Sequence, residues 1–328
     1  MRETRKPRVG VLYGGISAER EVSLRSGEAV ANALASLGYP VERIDVLEAP
    51  ISSLTQERMD VAFIALHGTF GEDGGIQSVL EVMGVPYTGS GVTASRLAMD
   101  KVATKNCFRR AGVPTAAFVE LEAAWPQERK VAAIAPLGLP VVVKPAAQGS
   151  SVGVSIVEAE AQLPGAVARA LEFDERAIAE EYIGGRELTV GVLGDRALPI
   201  IELLYRGRLF TWKIKYTKNA ARHVVNPELP AGLAERVQDL ALQAHRSLGC
   251  RGCSRVDFRL DADHNPFVLE VNTIPGMTET SLLPDAAAAV GIPFAELCRV
   301  IVEMALRAGR RGAARPRKRT AAPVPVRA

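Results

Sequence analysis

The first third of the chain alternates short apolar runs with segments of helical spacing. Apolar runs at residues 8–13, 41–46 and 61–66 predict buried strands. Residues 23–37 and 75–83 carry apolar side chains at helical intervals and predict helices. Strands that alternate with helices favour a parallel sheet, and ligands of such sheets bind beyond the carboxyl ends of the strands. We therefore expect an α/β domain with a binding edge where these strands end.

The pattern changes after a helix predicted at residues 95–111. Later strands follow one another closely, which favours antiparallel pairing, and they are predicted at residues 139–144, 152–157, 177–182, 187–193, 198–203, 253–260 and 266–272. Residues 207–231 form a polar connection that is longer than most loops, which indicates a functional lid. Helices predicted at residues 233–248 and 293–307 complete the fold.

Charge is distributed unevenly along the chain. The 328 residues contain 40 Lys and Arg against 37 Asp and Glu, a net charge of +3. Eight basic residues and no acidic residue lie in residues 307–328, so residues 1–306 carry a net charge of about −5. We therefore predict no nucleic-acid partner for the body of the protein. Residues 309–328, rich in Pro and Ala, are predicted to be a disordered basic tail, with nucleic-acid contact as the minor alternative.

The sequence shows no feature of a membrane or exported protein. No run approaches 18 consecutive apolar residues, and the apolar run after the charged N-terminus is too short for a signal peptide. Four cysteines in a chain of this length suit a reducing compartment. We therefore expect a cytoplasmic protein without membrane association.

The strongest chemical signal is a pair of strands that carries two carboxylates. Asp257 and Glu270 flank a cluster of turn-forming residues at 261–266. In an unbulged antiparallel hairpin centred within that cluster, Asp257 faces Glu270, Arg255 faces Asn272, and all four side chains share one face. Opposed carboxylates are unfavourable unless a cation lies between them, and oxygen ligands favour Mg²⁺ or Mn²⁺ over zinc. A solvated, charged hairpin face is the alternative.

A Gly/Ser-rich loop at residues 145–151 follows Lys144 and joins two predicted strands. Its backbone N–H groups can fold over phosphates as those of kinase Gly-rich loops do, although it lacks the Gly-Lys-Ser/Thr of a Walker A motif. A flexible hairpin tip explains the loop equally well. Lys101, Lys144 and Lys215 are each typical of solvated charges, but beside a Mg²⁺ site they would together neutralise a triphosphate.

Four further residues have both a functional and a structural interpretation. Glu180 precedes a predicted crossing between lobes, where the backbone would contact an adenine edge and Glu187 would reach a ribose hydroxyl. Paired surface carboxylates are the alternative for these two residues. Glu19 follows the first strand and is placed to bind a substrate ammonium group, and His67 follows the third strand. A lone histidine is more often structural, but its position after a strand raises the odds of a ligand role.

Together these motifs resemble the D-alanine–D-alanine ligase family of the ATP-grasp superfamily. The resemblance covers nearly the whole chain, and its order and spacing are specific. The matching segments are Gly14-Gly-Ile-Ser-Ala-Glu19-Arg-Glu-Val-Ser23, His67-Gly68, Pro86-Tyr-Thr-Gly-Ser-Gly91, Met99-Asp-Lys101, Gly149-Ser-Ser-Val-Gly153, Lys215-Tyr216 and Asn272-Thr-Ile-Pro-Gly276-Met-Thr-Glu-Thr-Ser281-Leu282.

The resemblance implies a role for each residue at a matching position. The implied ATP contacts are Lys101, Lys144, Ser151, Glu180, Glu187 and Lys215, and the implied ligands of two Mg²⁺ or Mn²⁺ ions are Asp257, Glu270 and Asn272. The implied D-alanine contacts are Glu19, His67, Ser281 and Leu282. Glu19, Ser150 and Tyr216 would form a hydrogen-bonded triad that closes the lid. Arg255 and the backbone of Gly276 would stabilise the oxyanion.

The implied fold is an α/β protein in which an N-terminal parallel-sheet, Rossmann-like domain precedes a two-lobed ATP-grasp fold. We expect the first domain at residues 1–98, the central lobe at 99–184, and the C-terminal lobe, with metal site and lid, at 185–308. The implied reaction joins two D-alanines through a D-alanyl phosphate, with ATP as cosubstrate, for peptidoglycan precursor synthesis. The resemblance also implies a cytoplasmic homodimer that acts on small molecules, without nucleic acid or membrane.

The predicted lid departs from the family pattern. Lys213 stands where the family usually carries an acid, and the residues around His223 are more basic than expected. Tyr216 favours an amino acid as second substrate, since D-lactate-selective relatives carry another residue there. The alternatives are a D-alanine–D-lactate ligase, another ATP-grasp carboxylate ligase and a catalytically silent nucleotide-binding protein.

Overall fold

The computed structural model describes residues 5–49, 54, 55, 58–210, 214, 217, 220–278 and 281–313, with the side chains of 311–313 left aside. Its N-terminal part contains β1 (Val9–Tyr13), α1 (Arg20–Ser36), β2 (Val41–Asp45), β3 (Val61–Ile64) and α2 (Gly75–Val82). The three strands form a parallel sheet in the order β2-β1-β3. This confirms the predicted parallel arrangement, although α1 begins three residues earlier than the apolar spacing indicated.

The helix predicted at residues 95–111 is two helices, α3 (Val92–Met99) and α4 (Lys101–Ala111). Asp100 separates them because its backbone is extended, with φ −83° and ψ 105°, and its carboxylate accepts a hydrogen bond from the amide of Ala103 at 3.0 Å. An aspartate in this position caps a new helix rather than continuing the previous one. The prediction was wrong because apolar spacing continues across the break.

A second sheet is antiparallel and follows α4. It contains β4 (Phe118–Glu122), β5 (Val141–Pro145), β6 (Ser155–Val157) and β7 (Arg176–Glu181), in the order β4-β7-β5-β6. Helices α5 (Gln127–Ile134) and α6 (Leu163–Leu171) contribute to its core. The sequence pattern did not predict β4, α5 and α6, and the strand predicted at residues 152–157 begins three residues before β6.

A third, five-stranded sheet is also antiparallel, in the order β10-β9-β8-β11-β12. Its strands are β8 (Glu187–Leu193), β9 (Arg196–Tyr205), β10 (Ala221–Val225), β11 (Cys253–Leu260) and β12 (Pro266–Asn272), and α7 (Leu233–Ser247) packs against it. β10 lies inside the segment predicted to be a loop at 207–231. The strands of the three sheets fall within the three predicted domain ranges.

The hairpin of β11 and β12 contains a bulge that the sequence analysis did not predict. Asp257 pairs with Glu270 as expected, but Phe258 pairs with Val268, so Leu269 is left over. The connecting turn causes the shift, because Asp261 accepts backbone hydrogen bonds from Asp263 at 2.9 Å and Asn265 at 2.7 Å and centres the turn one half-residue earlier. The bulge then restores the predicted register at the carboxylates.

The last two helices join the C-terminal part to the first sheet. Helix α8 (Leu282–Ala288) precedes α9 (Phe294–Ala313), and both contribute to one core cluster with β1, β3 and α1. Leu34, Leu283 and Val302 represent the three helices there and are all fully buried. This packing brings the start of α8 close to the carboxyl end of the first sheet. None of the helices in the described ranges has the length and hydrophobicity needed to cross a membrane.

Candidate active site

A pocket lies between the second and third sheets, where β5 and β7 face β11 and β12. Eight residues that the sequence analysis selected line it: Lys101, Lys144, Ser150, Ser151, Glu180, Glu187, Asp257 and Glu270. The described residues around the pocket include no His or Cys. The pocket therefore combines lysines on one side with oxygen donors on the other, which fits an anionic ligand held together with a hard cation.

Glu180 lines the pocket but is buried between two lysines. Its carboxylate is paired with Lys144 through one oxygen and with Lys105, at 2.9 Å, through the other. Burial alone would raise the pKa of Glu180, but the two lysines lower it to about 2. Glu180 is consequently ionised and fixes the Lys144 ammonium group at the pocket wall.

Lys105 is a residue that the sequence analysis missed. Its side chain is fully buried, and its Nζ donates a hydrogen bond to the Thr115 hydroxyl at 2.7 Å. The Thr115 hydroxyl donates in turn to the carbonyl of Val268 on β12 at 2.8 Å. A chain of polar contacts therefore runs from Glu180 to the strand that carries Glu270. The spacing of Lys105 on α4, four residues after Lys101, was the available signal.

Lys101, at the start of α4, lies beside the Gly/Ser loop. Its Nζ donates to the carbonyl of Gln148 at 2.6 Å, and its amide donates to the carbonyl of Ala146 at 2.9 Å. The lysine is 8% exposed and lines the same pocket as Lys144. Two ammonium groups thus border the pocket at the base of the loop.

The predicted metal face is assembled on β11 and β12. Arg255 donates to both carboxylate oxygens of Asp257, at 2.8 and 2.7 Å. The Asn272 amide donates to Asp257 at 3.0 Å, and the hydroxyl of Thr189 on the neighbouring strand donates at 2.6 Å. Thr189 was missed by the sequence analysis because strand pairing, not spacing, places it there. Glu270 and Leu269 both line the pocket, since the bulge turns two successive side chains towards it.

The donors on this face suit a hard divalent cation. Asp257, Glu270 and Asn272 offer carboxylate and amide oxygens only, which is the ligand type of Mg²⁺ and Mn²⁺. In the described ranges no group of three or more His, Cys, Asp and Glu side chains forms a metal-binding cluster. The face therefore fits ions that take further oxygens from a bound phosphate, rather than an ion enclosed by protein alone.

The Gly/Ser loop connects the pocket to the N-terminal sheet. Ser150 and Ser151 have φ values of 52° and 58°, which only a few non-glycine residues adopt. The Ser150 hydroxyl donates to the carboxylate of Glu19, and the Ser151 hydroxyl donates to the carbonyl of Phe210 at 3.0 Å. Two members of the predicted triad therefore meet, although Glu19 and Ser150 are 131 residues apart.

His67 lies close to the turn that precedes α8. Its Nε2 is 3.3 Å from the Ser26 hydroxyl, which also accepts a hydrogen bond from the amide of Met277 at 3.3 Å. Ser26 is fully buried on α1, and the sequence analysis did not select it. It joins the predicted second-substrate residue His67 to Met277, next to Gly276.

Gly276 and Ser281 approach closely just before α8. A Cβ atom at Gly276 would lie 2.8 Å from the Ser281 hydroxyl oxygen, so a side chain there would displace that hydroxyl. Ser281 accepts a hydrogen bond from the amide of Thr278 at 3.0 Å and precedes Leu282, the 9% exposed first residue of α8. The predicted oxyanion and second-substrate residues are thus adjacent.

Three residues of the predicted lid, Lys213, Lys215 and Tyr216, lie outside the described residues. His223, on β10 within the predicted lid range of 207–231, is described. Its Nδ1 is 2.7 Å from a carboxylate oxygen of Asp285 on α8. A strand inside the predicted lid range therefore contacts the helix that begins with Leu282.

Comparison with known proteins identifies both halves of the chain. Residues 43–90 match the family model described as the D-ala D-ala ligase N-terminus, and residues 107–303 match that of the D-ala D-ala ligase C-terminus. The chain is 49% identical to a D-alanine–D-alanine ligase of Desulforudis audaxviator over 91% of its own length and 98% of the relative's. The corresponding enzyme of Pelotomaculum thermopropionicum is 47% identical, with 91% and 96% covered.

Solved structures agree with this assignment. A D-alanine–D-alanine ligase of Bacillus anthracis, crystallised with ATP, superposes with a TM-score of 0.82 at 34% identity, covering 93% of this chain and 99% of the other. The ligase of Coxiella burnetii has the same TM-score at 26% identity, with 94% and 97% covered. Since the two family models match residues 43–90 and 107–303, and the relatives and solved structures cover more than nine tenths of the chain, the protein belongs to the D-alanine–D-alanine ligase family.

Proposed function

We propose that the protein joins two D-alanine molecules to D-alanyl-D-alanine, with ATP converted to ADP and phosphate, for peptidoglycan precursor synthesis. The observation that carries this proposal is the pocket itself, where Lys101 and Lys144 face Asp257 and Glu270. A carboxylate is a poor electrophile, so amide formation requires its activation by phosphoryl transfer. A site of lysines and metal-binding oxygens supplies the charge neutralisation that this transfer needs.

ATP is the cosubstrate, and we place its phosphates beside Lys101 and Lys144. The buried Glu180 carboxylate holds Lys144 from behind, so we assign to Glu180 a positioning role and leave the adenine edge to the backbone of residues 181–183. The Glu187 carboxylate would accept a hydrogen bond from the ribose. The Ser151 hydroxyl would hold the Gly/Ser loop over the phosphates through its hydrogen bond to the Phe210 carbonyl.

Asp257, Glu270 and Asn272 would hold two Mg²⁺ or Mn²⁺ ions. The ions would neutralise charge on the phosphates during phosphoryl transfer. Arg255 already neutralises part of the Asp257 charge and orients both of its oxygens. We also propose Arg255 as a donor to the oxyanion, since it lies on the same strand as the proposed metal ligand Asp257.

The first D-alanine would be bound by its ammonium group at Glu19. Ser150 donates to Glu19 and so fixes the carboxylate between the Gly/Ser loop and the first sheet. The carboxylate oxygen of this D-alanine then attacks the γ-phosphorus of ATP, the bond to the β–γ bridging oxygen breaks, and ADP leaves. The product of this step is D-alanyl phosphate.

The second D-alanine would be placed by His67, Ser281 and Leu282, with its amine directed at the acyl carbon. Attack produces a tetrahedral oxyanion, for which the Gly276 amide and Arg255 are the proposed donors. Phosphate then leaves, and the amine loses its proton. Tyr216 and Lys215 belong to the proposed lid, which would exclude water from an acyl phosphate that water would otherwise hydrolyse.

The test is a product mass spectrum after incubation with ATP, Mg²⁺, D-alanine and D-lactate at neutral pH. D-alanyl-D-alanine should dominate, and it should be lost in Asp257→Ala and Glu270→Ala. ATP binding without any condensed product would contradict the ligase reaction and favour a silent nucleotide-binding protein. The same samples should show a homodimer by light scattering, and we place the reaction in the cytoplasm, where ATP is available.

A second candidate reaction forms D-alanyl-D-lactate. The contact between His223 and Asp285 supports it, because it brings an imidazole from the predicted lid range to the helix that begins with Leu282. A dominant depsipeptide product in the experiment above would establish this alternative.

A further inference from the structure

The Glu187 carboxylate at the pocket is held by two side chains from neighbouring strands. Its Oε2 accepts a hydrogen bond from the Tyr205 hydroxyl on β9 and lies 3.2 Å from the Arg259 guanidinium on β11. The side chains of Glu187 and Arg259 are each 10% exposed. Burial and the Glu187 charge raise the pKa of Tyr205, so its hydroxyl keeps the proton that it donates.

Arg259 connects Glu187 to two backbone segments that border the pocket. Its guanidinium donates to the carbonyl of Gly185 at 3.0 Å, just before Glu187, and to the carbonyl of Arg208 at 2.6 Å, at the start of the predicted lid range. It also donates to the Tyr205 hydroxyl at 3.1 Å. Each contact uses a different segment, so the guanidinium fixes the position of the carboxylate relative to its surroundings.

Arg259 also belongs to the face that carries the metal ligands. It lies two residues after Asp257 on β11, so both side chains point to the same side of the sheet, and both line the pocket. An arginine at this position adds a positive charge near the proposed metal ligands. Among the described residues, Glu187 is the carboxylate nearest to the Arg259 guanidinium, at 3.2 Å. The positive charge of Arg259 therefore acts mainly on Glu187.

We propose that Arg259 is a positioning residue that orients Glu187 for a ribose hydroxyl and thereby sets the selectivity of the enzyme for ribonucleotides. The inference rests on the proposed function, in which Glu187 contacts the ribose. A carboxylate with one oxygen held by a guanidinium and a phenol has a fixed plane, so its second oxygen meets an incoming hydroxyl at a defined angle. Without Arg259 the carboxylate rotates, and the hydroxyl contributes less to binding.

The test compares ATP with 2′-deoxy-ATP and 3′-deoxy-ATP as substrates of the wild type and of Arg259→Met. The wild type should prefer ATP over one of the two analogues by about tenfold or more in kcat/KM, the effect of one hydrogen bond to a charged group. Arg259→Met should reduce that preference to less than about threefold, mainly through a loss with ATP. The KM for D-alanine should stay within a factor of about two.

Three further variants keep the result interpretable. Tyr205→Phe removes the other donor to Glu187 and should reduce the preference in the same direction, and Arg259→Lys should restore part of it. Arg186→Met is the matched control, because Arg186, just before β8, pairs with Glu202 on β9 at 2.7 and 2.8 Å but does not line the pocket. It should lose stability while keeping the preference for ATP.

Two results would overturn the proposal. Equal losses of Arg259→Met with ATP and both analogues would show that Arg259 acts on phosphates or on stability instead. A wild type that does not distinguish the three nucleotides would show that no ribose hydroxyl is read. Direct calorimetric binding of the same nucleotides separates these outcomes from failure of the proposed function, since a protein without ligase activity can still be tested for its preference.

Discussion

Lys105 and Glu180 form a 2.9 Å ion pair whose side chains are 0% and 4% exposed. Lys144 contacts the other oxygen of the same carboxylate and reaches the pocket wall. Two lysines around one carboxylate leave an excess positive charge next to the pocket. Burial lowers the pKa of Lys105, and Glu180 opposes that shift, so the cluster depends on all three groups. A negatively charged ligand would complete its charge balance.

Replacing Lys105 with Met should weaken ATP binding although Lys105 itself does not line the pocket. Glu180 would then pair with Lys144 alone and withdraw it from the phosphates. We expect the KM for ATP to rise about tenfold, with the KM for D-alanine within a factor of about two, and the free energy of unfolding to fall by about 3 kcal/mol. Steady-state kinetics and urea unfolding measure these quantities.

Lys130→Met is the matched control for this variant. Lys130 is also buried, but its Nζ donates to the carbonyl of Ala123 at 3.0 Å, away from the pocket. It should lose stability without a change in the KM for ATP. If Lys105→Met and Lys130→Met change the KM values for ATP and for D-alanine by the same factors, Lys105 has only a structural role.

Ser150→Ala should weaken binding of the first D-alanine. The variant removes the hydroxyl that donates to Glu19, so the carboxylate that would bind the substrate ammonium loses its fixed orientation. We expect the KM for the more tightly bound D-alanine to rise about tenfold, as for loss of a hydrogen bond to a charged group. Initial rates over a wide range of D-alanine concentrations measure it. Ser78→Ala, which removes a hydroxyl that donates to the carbonyl of Gly74, should leave the KM values for both D-alanines unchanged.

Ser26→Ala should instead affect the second D-alanine. The Ser26 hydroxyl is the contact between His67 and the amide of Met277, so its loss frees the imidazole and the turn that leads to Ser281. The KM for the acceptor D-alanine should rise about fivefold, a loss of about 1 kcal/mol, while that for ATP stays constant.

The control for Ser26 lies one turn earlier on α1. Ser23 is equally buried, but its hydroxyl donates to the carbonyl of Ala65 at 2.7 Å and accepts from Gly14 at 2.9 Å. Ser23→Ala should lower the free energy of unfolding to a similar extent without raising the KM for the acceptor D-alanine. If that KM rises in both variants, general loosening of α1, and not the His67 contact, controls binding of the acceptor.

Periodicity was sufficient for elements whose neighbours lie close in sequence. The strands of the first sheet were predictable from their apolar runs. The pairing of Asp257 with Glu270 was also correct, but only because the bulge at Leu269 offsets the half-residue shift of the turn. The break at Asp100 was not predictable, since apolar spacing continues through it and only the capping geometry ends the helix. β4 was missed because two of its five residues are glutamates, so the segment resembles a polar loop until it pairs with β7.

The residues missed at the site share one cause. Lys105, Thr115 and Ser26 act through contacts made by tertiary packing, and no spacing rule joins them to Glu180, Val268 or His67. Glu180 itself was selected for an adenine contact, because it precedes a predicted crossing between lobes and the family resemblance implies that role. The second lysine that encloses it comes from a helix about 75 residues earlier, and only the folded chain brings the two together.

His245 provides a stability test that is independent of the active site. The residue is 4% exposed on α7, with its Nδ1 2.7 Å from the Ser254 hydroxyl. Burial, assisted by the Arg246 charge, lowers its pKa from 6.5 to about 4. Below pH 6.5 the unfolded chain therefore binds a proton at His245 that the folded protein does not bind. The free energy of unfolding is unaffected by this group above pH 6.5 and falls as the pH drops towards 4.

Between pH 7 and 5, this group should reduce the free energy of unfolding by about 2 kcal/mol. His245→Asn should lack that portion of the decrease, because Asn offers a polar atom near Ser254 but does not titrate. Urea unfolding at half-unit pH steps measures the difference between variant and wild type. His264→Asn, at an exposed turn, should keep the wild-type profile. The Glu180 carboxylate does not interfere, since its contribution is lost only below pH 4.5, as the pH falls towards about 2. Parallel profiles for wild type and His245→Asn would show that the imidazole is protonated inside the fold.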